Sequence, residues 1–372
     1  MAAVIGQRSD RVGGLRSGRF YLDLMQAAAT CARVLLLPRD KPVTFGFFVN
    51  GHDAGLRALS PDTAFIRVNY PRRKRGWSAA AFDRLVALLA HLAKSRRPTA
   101  MIWGYRDRIN HGIDIGRHFP DHWRVERGLI RAPNGAGYTW DERSIYFDGR
   151  IPTDFERKLN ALEPGRLPAS ETGRAILAHV LASGATKYGA GTAPEVDITD
   201  RDLLIIGQCT GDQAISETDA LARTNPVFVS IVVAHLVKPG RYRRVFYKSH
   251  PKNGTTAADL AYVQKHHPDI VVIDARASIV PLLAAKPTVA TLTSGVGLEG
   301  AVRGCKVHCF GVPFYSHWGF TVDHMPCPRR TNRLSPEDVL LAMLIEQMRY
   351  VDGTGRCISA AEAFGCGGLL QA

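Results

Sequence analysis

A chain of 372 residues exceeds one ordinary core, and with 45% hydrophobic and 22% charged residues it reads as soluble, globular and two-domain rather than disordered. Lysine and arginine number 48 against 34 acidic residues, and the net charge of +14 favours anionic partners: nucleic acid, lipid headgroups, or acidic and phosphorylated metabolites. Seven scattered cysteines, an odd number, exclude a disulfide framework, and no zinc-finger, RNP-type or KH-type motif accompanies the charge, which leaves nucleic acid without support.

The first apolar stretch, FYLDLMQAAATCARVLLL, carries Asp23 and Arg33 and suits an amphipathic or buried helix better than a membrane span. The N-terminus lacks the charged, apolar, small-residue order of a secretory signal, so the expected location is cytoplasmic. Residues 43–49 and 100–103 read as strands. Between them lies YPRRKRGW, residues 70–77, the densest basic segment, which fits a solvated loop, a membrane-surface patch or an anionic-substrate channel. SAAAFDRLVALLAHLAKS follows as a helix capped by Ser78, with Leu85, Leu88, Leu89 and Leu92 expected on one face. Another helix is expected over 171–182, after Ser170. The small residues and proline of TKYGAGTAPE, residues 186–195, mark the expected junction between domains 1–195 and 196–372.

The second half alternates strand and helix: LLIIG, a helix through NPVFVSIVVAHLV with Pro226 near its start, RVFYK, AADLAYVQKH, DIVVID, SIVPLLAA, TVATLT, GLEGAVRG and KVHCFG. This rhythm predicts a parallel sheet with helices on both faces. A last helix is expected from Ser335, with Pro336, Glu337 and Asp338 in its first turn. Cys305 and Cys309 flank His308, but no further ligands stand at a metal-site spacing, so both read as buried thiols.

Three loops leave the carboxyl ends of these strands, the edge where open α/β sheets bind ligands. The first carries Gln208 and Asp212, the second Lys248 and His250, the third Ser294, Gly295 and Gly297. Lysine, histidine, hydroxyl and backbone donors on one edge suit a phosphate, with Asp212 facing the group attached to it. Each residue also has a plainer role: Asp212 as a helix cap, His250 as a loop histidine, the glycines as tight packing.

The motifs resemble those of the bacterial capsule polysaccharide biosynthesis family, the KpsC/KpsS-type β-Kdo transferases. The carriers are TSGVGLEGAVRGCKVHCFGVPFYSHWGFTVDH, RLSPEDVLLAMLIEQMRYVD, YKSHP, GQCTGDQAI, RVERGLIRA, IYFDGRIPTDFERKLN and TKY, spread over residues 100–365. The resemblance implies a GT-B-like α/β fold, two Rossmann-type domains with an interdomain cleft. It also implies metal-independent, retaining transfer of Kdo from CMP-Kdo, with no cofactor, to a surface-glycan or lipid-linked acceptor at the inner membrane's cytoplasmic face. By position Asp212 matches the nucleophile, His250 and Lys248 the donor-phosphate motif, and Gln208, Ser294 and Glu299 the donor site. Glu126 becomes a candidate acceptor base, and Arg131, Lys187, Tyr315 and Trp318 candidate cleft residues. The chain departs from the family pattern at Thr210, Arg127 and Ala132, and has room for one transferase module. Another CMP-nonulosonic acid as donor, or a non-catalytic scaffold role in glycan assembly, are the competing expectations.

Overall fold

The computed structural model describes residues 10–69, 78–187, 191–252 and 256–367, with side chains from Asp23 onward in the first helix. The basic segment 70–77 lies outside the described residues. The chain divides into two compact units, Met1–Glu126 and Arg127–Ala372.

Unit 1 opens with the helix Asp10–Leu36, followed by four parallel strands: β1 (Val43–Phe47), β2 (Ala64–Val68), β3 (Thr99–Trp103) and β4 (His122–Arg127). They lie in the order β2-β1-β3-β4. β1 is buried along its whole length, as strands covered on both faces are. The helix Ala79–Leu92 begins where expected, the Ser78 side chain accepting from the Ala81 N–H. Its buried stripe is Phe82, Val86, Leu89 and then Ala93, whereas Leu88 is 46% exposed. The four leucines span one face, and the buried stripe is offset from it: positions 82, 86, 89 and 93 share one side at a helical period, and Leu88 stands about 100° from Leu89. On the first helix, Leu24, Met25, Ala28, Ala29, Ala32, Leu35 and Leu36 are all exposed. Positions 24 and 35, like 25 and 36, fall about three turns apart, so this apolar strip runs along one side.

Unit 2 contains β5 (Ala136–Glu142), β6 (Leu203–Ile206), β7 (Val245–Lys248), β8 (Ile270–Ile273), β9 (Thr288–Thr291), β10 (Val307–Cys309), β11 (Thr321–Asp323), β12 (Met348–Val351) and β13 (Cys357–Ile358). β5 pairs antiparallel with β12, and β12 with β13. The other six form a parallel sheet in the order β11-β10-β9-β6-β7-β8. The chain enters at the centre with β6, builds outward through β7 and β8, then returns beside β6 with β9 and builds the other way. That is the doubly wound order, and its reversal between β6 and β9 creates the crevice such sheets use for ligands. Leu203 and Ile205 pack with Phe228, Val229, Val232 and Leu236 from the helix Asn225–Leu236. Each such buried side chain contributes roughly 1.5–3 kcal/mol of apolar burial.

The expected helix after Ser170 forms, capped onto Gly173 N. Ser335 and Asp338 close a reciprocal capping box at the last expected helix. That helix runs only to Leu341, widens into a π turn over Ala342–Gln347, and RYV becomes β12. Thr192, in the expected junction segment, bonds the backbone of Arg276 and Ser278 and so lies along the loop after β8. The cysteines Cys305 and Cys309 are buried free thiols, and His308 pairs with His324 at 3.0 Å.

Candidate active site at the sheet crevice of unit 2

Gln208 organises the site. Its backbone follows β6 and Gly207, where the chain needs a residue without a side chain: a Cβ on Gly207 would stand 2.6 Å from the Tyr247 hydroxyl. Asn225 Oδ1 accepts from Gln208 N at 2.9 Å and Asn225 Nδ2 donates to Gln208 O at 2.9 Å, so one amide satisfies the whole peptide. The 3% exposed Gln208 side chain spans the crevice: Oε1 accepts from Thr293 N at 2.7 Å, and Nε2 donates to Thr293 Oγ1 at 2.9 Å. The loops after β6 and β9 are therefore tied across the point where strand order reverses. Neither Asn225 nor Thr293 was singled out from sequence. An asparagine heading a helix before Pro226, and the threonine opening the TSGVG turn, were the available signals.

Asp212 takes the plainer of its two anticipated roles, that of a helix cap, and also borders the crevice. Oδ1 accepts from Ala214 N at 3.0 Å and caps the short helix Gln213–Ser216. Oδ2 lies 3.5 Å from Gln208 Nε2, on the crevice side. The capping bond fixes the carboxylate's rotamer, and a half-buried carboxylate of fixed direction is what a nucleophile requires.

His250 lies close enough to Asp212 for the carboxylate to act on it electrostatically. Burial lowers the pKa of the imidazole; the Asp212 carboxylate opposes this, while Lys187, Lys248 and Lys252 reinforce it. The net shift favours the neutral ring. Its Nδ1 accepts the Lys252 N–H at 3.0 Å, which leaves its own proton on Nε2. Lys248 is buried, and its Nζ donates to Ala275 O at 2.8 Å, tying the loops after β7 and β8. Burial also lowers its pKa.

In the third loop, the Ser294 carbonyl accepts from the Tyr315 hydroxyl at 2.5 Å. A Cβ on Gly297 would meet that hydroxyl at 2.1 Å, so Gly297 admits Tyr315 beneath the turn. Gly295 lies against Leu129. Gly297→Ala should destabilise the protein by about 1–3 kcal/mol through overpacking, with partial relief in the double variant carrying Tyr315→Phe. Urea unfolding of the four proteins checks this.

Glu299 is buried, and among the described residues its Oε2 has no hydrogen-bond partner. Burial pushes its carboxyl up to about 7, against the pull of Arg303 and Lys187. Lys187 therefore stands within electrostatic reach of both Glu299 and His250. Arg131 is exposed, and its backbone N–H bonds Thr186 O at 3.2 Å, which places these two cleft candidates on adjoining segments.

Tyr315 and Trp318 require correction as cleft residues. Both are 0% exposed. Tyr315 supports the third loop from below; Trp318 donates its indole N–H to Phe314 O at 2.9 Å and lies under the Arg330 guanidinium. A polar tip on a large aromatic ring is satisfied by burial with one partner as readily as by a ligand. Glu126 stands on β4, in unit 1.

Residues 185–352 match the family model described as capsule polysaccharide biosynthesis protein. The chain is 30% identical over 253 residues to the lipopolysaccharide-processing protein LpsZ of Rhizobium meliloti, covering 62% of this chain and 55% of that protein. It is 29% identical over 245 residues to the capsule polysaccharide modification protein LipA of Neisseria meningitidis serogroup A, covering 61% and 33% respectively. The chain thus spans about half the length of the first relative and a third of the second. Among solved structures, it resembles the β-Kdo 2,7 transferase of Thermosulfurimonas dismutans KpsC, with TM-score 0.65, 22% identity, and coverage of 89% of this chain and 100% of that one. The β-Kdo 2,4 transferase of the same KpsC gives TM-score 0.65 at 21% identity, covering 88% and 98%. These likenesses establish a GT-B-like α/β fold. The segment matched by the capsule polysaccharide biosynthesis family model is the one that holds Asp212, His250 and Glu299.

Proposed function

We propose that the chain is a retaining glycosyltransferase that moves Kdo from CMP-Kdo to a surface-glycan or lipid-linked acceptor without a metal ion. One observation carries this reading: Asp212, its rotamer fixed by capping, stands within electrostatic reach of His250 at the sheet's switch point. The family-model match over residues 185–352 and the likeness to two β-Kdo transferase modules support it. In the first step an Asp212 oxygen attacks the anomeric carbon, the bond to the CMP phosphate oxygen breaks, and CMP leaves with the bonding electrons. In the second, the acceptor hydroxyl displaces Asp212 from the same carbon and gives its proton to a base, for which Glu126 is the candidate. Two inversions give net retention. The His250 Nε2–H and the backbone of the 294–297 turn would stabilise the departing phosphate, whose modest charge needs fewer counter-charges than a diphosphate. Residues 196–372 take the donor side in this scheme and residues 1–195 the acceptor side.

The test is a donor screen of the purified protein with CMP-Kdo, CMP-sialic acid and other CMP-nonulosonic acids, reading CMP release and product linkage. Turnover of CMP-Kdo above the rest is expected. Preference for another CMP-sugar would change the donor, and no turnover with any would favour the scaffold role.

We also propose that the protein acts at an anionic membrane surface. No described helix is long and apolar enough to cross a membrane. The exposed strip from Leu24 to Leu36, with Arg33 beside it and the positive net charge, suits a helix lying at the interface. Co-sedimentation with phosphatidylglycerol vesicles should fall when Leu35 and Leu36 are both changed to Gln; unchanged binding would locate the contact elsewhere.

A further inference from the structure

Unit 1 has a switch point of its own. β1 leads outward to β2, and the chain returns to place β3 on the other side of β1. The loops after β1 and β3 therefore leave the carboxyl edge side by side, in the position where doubly wound sheets take ligands. Their side chains interlock. His52, from the first loop, stacks on Trp103 at the end of β3, with ring centroids 4.2 Å apart and planes 15° from parallel. Phe48 stacks on His111 from the second loop at 4.8 Å. Arg106 places its guanidinium 5.9 Å from the Trp103 ring centroid and reaches the Phe48 carbonyl at 3.5 Å.

Two features set this cluster apart from an ordinary loop junction. Phe48 has φ 61°, a left-handed conformation that a bulky residue adopts only at a cost of about 1–3 kcal/mol, and such strain concentrates where loops hold ligands. Arg106 is exposed and, among the described residues, forms no ion pair. The carboxylates that follow these two loops are already engaged: Asp53 with Arg67 at 3.4 Å, Asp107 with buried Arg124 at 2.9 Å, and Asp114 with Arg108 at 3.2 Å. A guanidinium steadied by a ring and a carbonyl, yet left without a counter-charge, is arranged to receive an anion in bidentate fashion. Half-buried His52 and exposed Asn50 add hydrogen-bonding groups from the neighbouring loop.

We infer that Arg106, with His52 and Asn50, forms an anion subsite at the unit 1 switch point that binds a carboxylate or phosphate carried by the acceptor. This rests on the transferase reading, which supplies the acceptor, whereas the anion chemistry rests on unit 1 alone.

The experiment is equilibrium binding to the whole chain without donor, with two probes: a Kdo-terminated oligosaccharide for the carboxylate and monomeric lysophosphatidylglycerol for the phosphate. Arg106→Gln should weaken the preferred probe about tenfold or more. Arg106→Lys should fall between, because it keeps the charge and loses the fork. Thermal unfolding of both variants should match the parent, since Arg106 is exposed. The probe that binds identifies the source of the anion. If the parent binds neither probe, or Arg106→Gln binds as tightly as the parent, the subsite is overturned. Arg106-dependent binding in a protein that turns over no CMP-sugar would leave the subsite standing and refute only the transferase reading.

Discussion

Asp212→Asn is expected to lower Kdo transfer by about 10³-fold or more while leaving the fold intact. Asparagine caps helices as well as aspartate does, and its amide oxygen can still accept the Ala214 N–H that fixes Asp212 in the parent. What it removes is the charge and the nucleophilic oxygen beside Gln208. Asp212→Ala removes the cap as well, which costs about 1 kcal/mol and blurs a kinetic loss with a local structural one. Intact-protein mass spectrometry after incubation with CMP-Kdo gives the direct readout. The parent should gain one Kdo-sized increment, discharged by acceptor, and both variants should gain none. An increment that persists in Asp212→Ala would place the nucleophile on another residue. Activity lost in parallel with thermal stability in Asp212→Asn would reduce the residue to its capping role.

Much of the crevice was legible because its signals are local. Short apolar runs marked β6, β7 and β9, and parallel strands must end on a common edge, so the three loops had to converge. The capping serines 78, 170 and 335 were legible for the same reason, since a cap and the backbone N–H it accepts from lie within one turn. The Gln208–Thr293 bond was not, because 85 residues separate the two and no periodicity registers a cross-crevice contact. Tyr315 and Trp318 belong to a motif whose aromatic rings could equally serve packing, and burial decided for packing. Gly297 had two open readings, and the position of the Tyr315 hydroxyl supports close approach. Lys248 was expected to face a phosphate; its ammonium is engaged with the Ala275 carbonyl, a contact between neighbouring strand ends that composition cannot reveal. In unit 1 the cluster around Trp103 escaped notice entirely, because histidine, tryptophan and arginine on separate loops form no spaced motif.

Asp107→Ala should destabilise the protein by about 3–5 kcal/mol, the largest stability effect of any single substitution considered for unit 1. Asp107 and Arg124 are both 0% exposed. Arg124 Nη1 donates to Asp107 Oδ1 at 2.9 Å and to Gly104 O at 2.7 Å, Nη2 donates to Asp107 Oδ2 at 3.2 Å, and the guanidinium lies 4.5 Å from the Tyr105 ring centroid. Asp107 Oδ2 also accepts from Ile115 N at 3.2 Å. Removing the carboxylate leaves a guanidinium that cannot deprotonate inside a low-dielectric core, together with an orphaned backbone N–H. Replacing both partners at once, as Asp107→Leu with Arg124→Met, removes the stranded charge and should recover much of the loss. Chemical denaturation of the single and double variants measures that recovery; additive losses would show that the ion pair is not the source of the cost. The same pair holds Gly104, the residue between Trp103 and the helix bearing Arg106, so its loss should also weaken anion binding at that edge. The double variant should restore stability ahead of binding, because leucine and methionine fill the space but leave the Gly104 carbonyl without its donor. A variant that regained both together would show that the edge needs only a filled core beneath it, and that Arg124 does not position the Arg106 loop.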